Sequence, residues 1–230
     1  FLQGMFNSAN YVLFVNYEDF YFNIKKIAEN NKEYSCFFSG YDSDSLALEN
    51  ITNFLKEFIK YFEGIKKGVL EIRSKSINIK VFEKIKPLAN VIPAFSLNPE
   101  HVVEEFEDKT PSLTKRLKAI IKLQNLGWSI GLRFDPLIYC EQKGGYEEFF
   151  NNVFESVDKS KIHSVTIGKF RMPDRYLKKI SKVRPDNNLI QFENVKRMFP
   201  KLDQKYDEFQ QTFLLKLLTK FIEREKIFVN

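Results

Sequence analysis

Cysteine and histidine are the scarcest chemistry-bearing residues in this 230-residue chain, with two of each. Cys36 and Cys140 are too few for a disulfide framework or a zinc site, and the expectation is two buried thiols in a reducing compartment. His101 and His163 stand apart, neither at metal-ligand spacing nor beside a nucleophile, which disfavours zinc hydrolysis and a serine or cysteine triad. The nine glycines form neither a dinucleotide fingerprint nor a phosphate loop, which removes the two most readable nucleotide sites. No apolar run reaches the roughly eighteen residues of a membrane span. The first residue is Phe1, with no charged leader or apolar signal core after it, so an internal start with sequence upstream and a cytoplasmic location are expected.

What the chain has in quantity is phenylalanine, 24 residues of it, so ring packing should dominate a single sizeable core. A net charge of +6 and a pI near 9.1 are compatible with a polyanionic partner. The lysines read as spread along the whole chain, and a composition rich in Lys, Phe and Asn can also reflect codon bias.

Along the chain, Tyr11–Asn16 is a short apolar run and Glu18–Glu29 reads as a helix with Phe20, Ile24 and Ile27 on one face. Cys36–Phe38 is strand-like, and Ser43, Asp44 and Ser45 supply cap chemistry for a helix from Leu46 to about Phe62. Val69–Lys75 and Val91–Leu97 read as strands, the second ended by Asn98-Pro99 before a helical stretch from Glu100. Thr110-Pro111-Ser112 opens a helix whose apolar positions Leu113, Leu117, Ile120, Ile121 and Leu126 recur near the helical period, with Gly127 as its stop. Ile130, Leu132 and Phe134 then alternate as a strand that ends at Asp135-Pro136. A helix over Tyr146–Val157, a last clear strand at Ser164–Gly168 and a helix over Pro173–Val183 follow. The run from Phe209 is read as an amphipathic helix with Phe213, Leu217 and Phe221 at four-residue spacing.

Strand and helix alternate about five times, which predicts an α/β fold: an incomplete TIM-type barrel of parallel strands with helices outside. The organisation expected is one domain over 1–230, with a barrel body to about 185 and a C-terminal loop and helix over 186–230. Strands of one direction would bring Ser43, Asp44, Lys75, Ser96, Asn98, Arg133, Asp135, Lys169 and Arg171 to one rim, where such barrels carry their chemistry. A strand-end salt bridge remains the simpler account of Arg133 and Asp135, and a surface position that of Lys75. Glu104-Glu105 and Glu147-Glu148 read as wet helix faces.

With those residues in hand, the ordered series resembles the spore photoproduct lyase family of radical S-adenosylmethionine (SAM) proteins. The resemblance runs through Phe1–Gly4, Ser43–Thr52, Glu71–Ser76, Phe95–Pro99, Thr110–Leu113 with Arg116, Gly131–Pro136 and Ile167–Arg171, and is poor beyond Asn187. In that family three cysteines in the pattern Cys-x3-Cys-x2-Cys hold a [4Fe-4S] cluster, and the last precedes an aromatic-Leu-Gln that corresponds to Phe1-Leu2-Gln3. The resemblance therefore implies that the ligands lie just upstream: an intact parent would be a radical SAM lyase-like enzyme, whereas this chain alone would not hold the cluster.

The implied chemistry is reductive cleavage of SAM, with an electron from a donor such as flavodoxin or ferredoxin and a nucleic-acid substrate, as in DNA lesion repair or base modification. The resemblance assigns Ser43 and Asp44 to the amino acid end or ribose of SAM, Lys75 to its carboxylate, Ser96 and Asn98 to nearby hydrogen bonds, and Arg133 and Asp135 to the flank of the adenosine. Lys169 and Arg171 are assigned to substrate, as are Lys196 and Arg197, near Phe199 and Lys201, as phosphate and base contacts; a solvated loop is the simpler account of that cluster. Two positions depart from the pattern: Tyr41 stands where the family's hydrogen-donor cysteine would be, and Phe1 where it has a tyrosine. Tyr41 is a candidate hydrogen donor or a pocket wall, and thymine-dimer repair is less expected than membership of the broader family. The alternatives are a nucleic-acid-binding barrel without catalysis, and a radical SAM enzyme acting on a peptide or small molecule.

Overall fold

The computed structural model describes residues 12–40, 43–138, 145–191 and 212–230. Six strands, β1 (Ser35–Phe38), β2 (Gly68–Ser74), β3 (Val91–Ser96), β4 (Ile130–Leu137), β5 (Ile162–Lys169) and β6 (Ile227–Val229), lie in the order β1-β2-β3-β4-β5-β6. Every neighbouring pair is parallel, so all C-terminal ends share one edge of a half-barrel. The sheet confirms the expected α/β partial barrel of parallel strands with outer helices.

Alternation along each strand divides the sheet's two faces. Leu70 and Ile72 of β2, Leu132 and Phe134 of β4 and Val165 and Ile167 of β5 are buried in the core beneath the helices. Phe134 packs edge-on against Phe149 and Phe154 and at a tilt against Phe150, all three from the helix Gly145–Ser156. The intervening positions, Glu71 and Arg73, Arg133 and Asp135, Ser164 and Thr166, are polar and occupy the inner wall.

The helix Leu113–Asn125 stops where the sequence placed the stop, since Gly127 takes φ +96°. Its N–H donates to Gln124 O (3.0 Å) and Trp128 N–H to Leu123 O (3.1 Å), which closes the helix end as a Schellman motif.

Several elements differ from expectation. The helix read over Leu46–Phe62 breaks at Asn53 (φ 48°) into Glu49–Thr52 and Phe54–Phe58, followed by a 3-10 turn, Ile59–Gly64. The buried Glu49 carboxylate accepts from Leu55 N (3.0 Å) and Lys56 N (3.1 Å), capping the second piece. In the helix Tyr17–Asn30 the side packed on the core is Tyr17, Tyr21, Ile24 and Ala28, while Phe20 and Ile27 are exposed. Residues 12–16 of the short apolar run form neither helix nor strand, and Val12 to Val15 are exposed. β4 passes Pro136 and reaches Leu137 across a bulge that leaves Asp135 and Pro136 out of the ladder. β6 was not read from the sequence: it is three residues long and pairs with β5 after a helix over 212–218. Cys36, expected to be buried, is exposed, because in β1 it alternates with Ser35 and Phe37, which take the more buried side. Cys140 lies outside the described residues.

Candidate active site at the rim and inner wall

Four linked groups of side chains occupy the C-terminal edge and the inner wall. The first is centred on Asp44, in the turn after β1. Its Oδ1 accepts from Leu46 N (3.0 Å), Ala47 N (2.9 Å) and Ser74 Oγ (2.7 Å), and its Oδ2 from Lys75 N (2.7 Å). Asp44 thus caps the next turn, as expected, and also ties that turn to the end of β2. Ser43 lies exposed beside it.

The second group lies past β2 and β3. Glu107 accepts from Lys75 Nζ and from Asn98 Nδ2 (2.8 Å) on Oε1, and from Arg116 Nη2 (2.5 Å) on Oε2. Arg116 is fully buried and also donates to Pro111 O, Ser96 O and Thr110 Oγ1. Burial pushes the Glu107 carboxyl up, and Lys75, Arg116 and Asn98 more than reverse it, holding it below the usual carboxylate range. Lys75 is therefore not a loose surface lysine: its side chain is one-third exposed and its ammonium is anchored. Asn98 Oδ1 is left buried with no partner among the described residues, an acceptor short of one hydrogen bond.

The third group forms the floor. Arg133 uses all five of its N–H donors: Nε and Nη2 grip Glu71 (3.0 and 2.8 Å), Nη1 reaches Leu132 O and Ser164 O (3.0 Å each), and Nη2 also reaches Ser164 Oγ (2.9 Å). The ion pair suspected at the strand end is real, but its carboxylate is Glu71 of β2 rather than Asp135. Burial raises the Glu71 carboxyl, and Arg133 and then Arg73 outweigh it, so it lies below the ordinary range. His163 is held below its ordinary value by burial and by Arg133. The Cys36 thiol is raised by partial shielding and by Glu71, so it stays protonated near neutrality.

Gly131 makes room for the Arg133 fork. A Cβ there would fall 2.6 Å from Arg133 Nη2 and 3.0 Å from Ala94 Cβ. Gly131→Ala is accordingly expected to destabilise the protein by about 1–3 kcal/mol, read by urea unfolding, because the displaced guanidinium is fixed on all its donors.

The fourth group surrounds Asp135. Its Oδ2 accepts from Asn230 Nδ2 (3.0 Å) and lies 3.9 Å from both Arg73 Nη1 and Arg171 Nη2. Arg73 also donates from Nε to Glu71 Oε1 (2.9 Å), which couples this group to the floor. Lys169 ends β5 beside Leu137 of β4.

The structure thus brings Asp44 to Lys75, Lys75 to Asn98, and Asp135 to Arg171, while Ser96 sits in register with Arg133. Arg133 stands deeper than the rim, with no donor left over. Tyr41, Lys196 and Arg197 lie outside the described residues. Glu71, Arg73 and Glu107 were not singled out from the sequence, although Glu71 and Arg73 fall inside a matching segment; Glu107 follows a helix whose acids read as solvated.

A half-barrel of parallel strands whose polar side chains gather on the inner wall and C-terminal edge belongs to the class of partial (β/α) barrels with a rim site. A family model described as spore photoproduct lyase matches residues 1–222, and the chain belongs to that family. It is 28% identical over 160 residues to the spore photoproduct lyase of Bacillus subtilis (strain 168), covering 69% of this chain and 46% of that protein. It is 27% identical over 166 residues to that of Geobacillus sp. (strain Y412MC61), covering 70% and 49% respectively. The chain therefore spans about half the length of these curated relatives. Among solved structures, spore photoproduct lyase complexed with dinucleoside spore photoproduct superposes with a TM-score of 0.77 at 20% identity, covering 100% of this chain and 71% of that one. A mutant with bound AdoMet and dinucleoside spore photoproduct superposes with a TM-score of 0.76 at 20% identity, covering 94% and 67%.

The residues present do not suit an iron–sulfur cluster. Such a cluster needs a set of thiolates, the chain has two cysteines, and among the described residues no group of three His, Cys, Asp or Glu side chains could hold a metal ion. They do suit the amino acid end of SAM: an anchored ammonium at Lys75 and an unsatisfied buried acceptor at Asn98 are both held on Glu107. Among the described residues no helix is long and apolar enough to cross a membrane.

Proposed function

We propose that the protein is a radical SAM enzyme that acts on a nucleic acid, with the rim over β2 and β3 as its SAM site. The observation that carries this reading is the Lys75–Glu107–Asn98 group, a fixed cation and an unpaired acceptor at the end of adjacent parallel strands. With a [4Fe-4S] cluster, which the two cysteines of this chain do not hold, one-electron reduction of SAM bound there would supply a carbon-centred radical able to take a hydrogen atom from substrate. The chain's own part is to bind and orient the cofactor. Lys75 offers its ammonium to the carboxylate, and Ser96 and Asn98 offer hydrogen bonds beside it. Ser43 lines the amino acid or ribose end, while Asp44 works by fixing the turn and the Lys75 backbone. Asp135, held between Arg73 and Arg171, flanks the adenosine. Arg133, with every donor committed, positions the wall through Glu71. Lys169 and Arg171 are assigned to the substrate, as are Lys196 and Arg197 by sequence, and Tyr41 is assigned by sequence as the hydrogen donor; the last three lie outside the described residues. The electron would come from a flavodoxin or ferredoxin.

Lys75→Ala in the full-length protein is expected to weaken SAM binding at least about tenfold by calorimetry, the scale of one lost charge-assisted bond. Unchanged affinity would remove the assignment. A nucleic-acid-binding barrel without catalysis is the second reading, compatible with the net charge of +6. Three cysteines at the family spacing before Phe1 decide for the enzyme, and their absence decides for the binding module.

A further inference from the structure

Residues 169–184 carry seven basic side chains against one acid, Asp174. Their net formal charge of +6 within sixteen residues is a dense local basic excess. Most of these cations lie on or next to the helix Asp174–Val183. Leu177 and Ile180 bury one side of it against Met172 and Ile190. Arg175, Lys178 and Lys182 follow at i, i+3 and i+7 on the opposite side, all exposed, and Arg184 just past the helix is exposed as well. Among the described residues none of these four side chains makes an ion pair. Val183 is the one large apolar side chain of the helix that is exposed, too little apolar surface to hold the helix on a lipid surface.

We infer that this helix is a nucleic-acid backbone ridge, whose four free cations contact successive phosphates of the strand that enters the rim. The inference rests on the nucleic-acid reading above and adds the surface that grips the strand outside the site. Arg175 to Lys182 spans about 10 Å of helix, which matches the axial rise of about three nucleotides. Arg171, beside Asp135 and 55% exposed, links the ridge to the rim. Cations that replace condensed counterions give affinity without sequence preference and a steep salt dependence.

The test uses the full-length protein without SAM and a lesion-free 20-base-pair duplex, titrated by fluorescence anisotropy over a range of KCl concentrations. Replacing Arg175, Lys178, Lys182 and Arg184 together by glutamine should flatten the slope of log affinity against log salt by about 3–4 and lower affinity at least about tenfold at 0.1 M. The milder K178Q/K182Q should flatten the slope by about 2 and retain the melting temperature. A control with the same charge change, K66Q/K67Q/K84Q/K86Q in the exposed connections leading into β2 and β3, should leave the slope nearly unchanged. SAM affinity should be unaltered in all three, so a failure here is separable from a failure of the Lys75→Ala test. Equal loss in ridge and control variants would overturn the inference, as would a ridge variant that binds DNA like the parent. So would a ridge variant that loses only its binding to an acidic flavodoxin.

Discussion

Arg133→Met is expected to destabilise the protein by about 3–5 kcal/mol in chemical unfolding, because it leaves a buried carboxylate without its cation. Arg133 and Glu71 have side chains only 3% and 8% exposed, so solvent can do little for whichever partner remains. Arg73, 2.9 Å from Glu71 Oε1, retains part of the compensation and sets the lower end of that range. The pH dependence should change with it. In the parent, Glu71 has a native value below its ordinary 4.5, so its stabilisation is complete above that value and is lost as the pH falls through the lower one. In the variant the burial that Arg133 had outweighed becomes dominant and the carboxyl moves up. The deficit should then shrink on acidification, since the protonated form is the one a buried site prefers. Replacing both partners, R133M with E71L, should recover most of the loss; a double variant as unstable as the single would contradict the account.

Glu107→Ala is expected to cost about 3 kcal/mol or more, because Arg116 is fully buried and loses its counter-charge. Removing Lys75 from the same carboxylate should cost about 1 kcal/mol or less, since that side chain is 31% exposed and Glu107 keeps Arg116. The two substitutions therefore separate stability from binding. Both should weaken SAM affinity, Lys75→Ala directly and Glu107→Ala by releasing Lys75 and Asn98 from their anchor. The Glu107 contribution, like that of Glu71, is present above the ordinary 4.5 and lost in acid. Unfolding by urea at pH 7 and at pH 4, with calorimetry on each variant, distinguishes these outcomes. A stable Glu107→Ala protein would mean that Arg116 finds other compensation.

The contrast between these two carboxylates shows where local sequence stops being informative. Glu71 lies in a strand whose alternation is plain, so its face could be read, but its partner Arg133 is 62 positions away. A pairing at that separation leaves no spacing in the chain. Glu107 follows a helix with the surface-like Glu104-Glu105 and is buried only because Arg116 folds back onto it from the next helix. The ridge was missed for a different reason: counting charge over the whole chain hides a local excess.

The amino-acid sequence by itself determined five of the six strands, most of the helices, the parallel α/β class and the stop at Gly127, and its ordered motifs carried the resemblance to the family. The elements and the stop rest on nearest-neighbour chemistry or on burial with a fixed period, and both are written along the chain. Only the tertiary structure decided which cation meets which carboxylate, that Arg133 is floor rather than rim, and that a three-residue strand extends the sheet beyond β5. Those depend on contacts between residues far apart in sequence, where the free energy comes from pairing and burial in space, and periodicity carries no record of the partner.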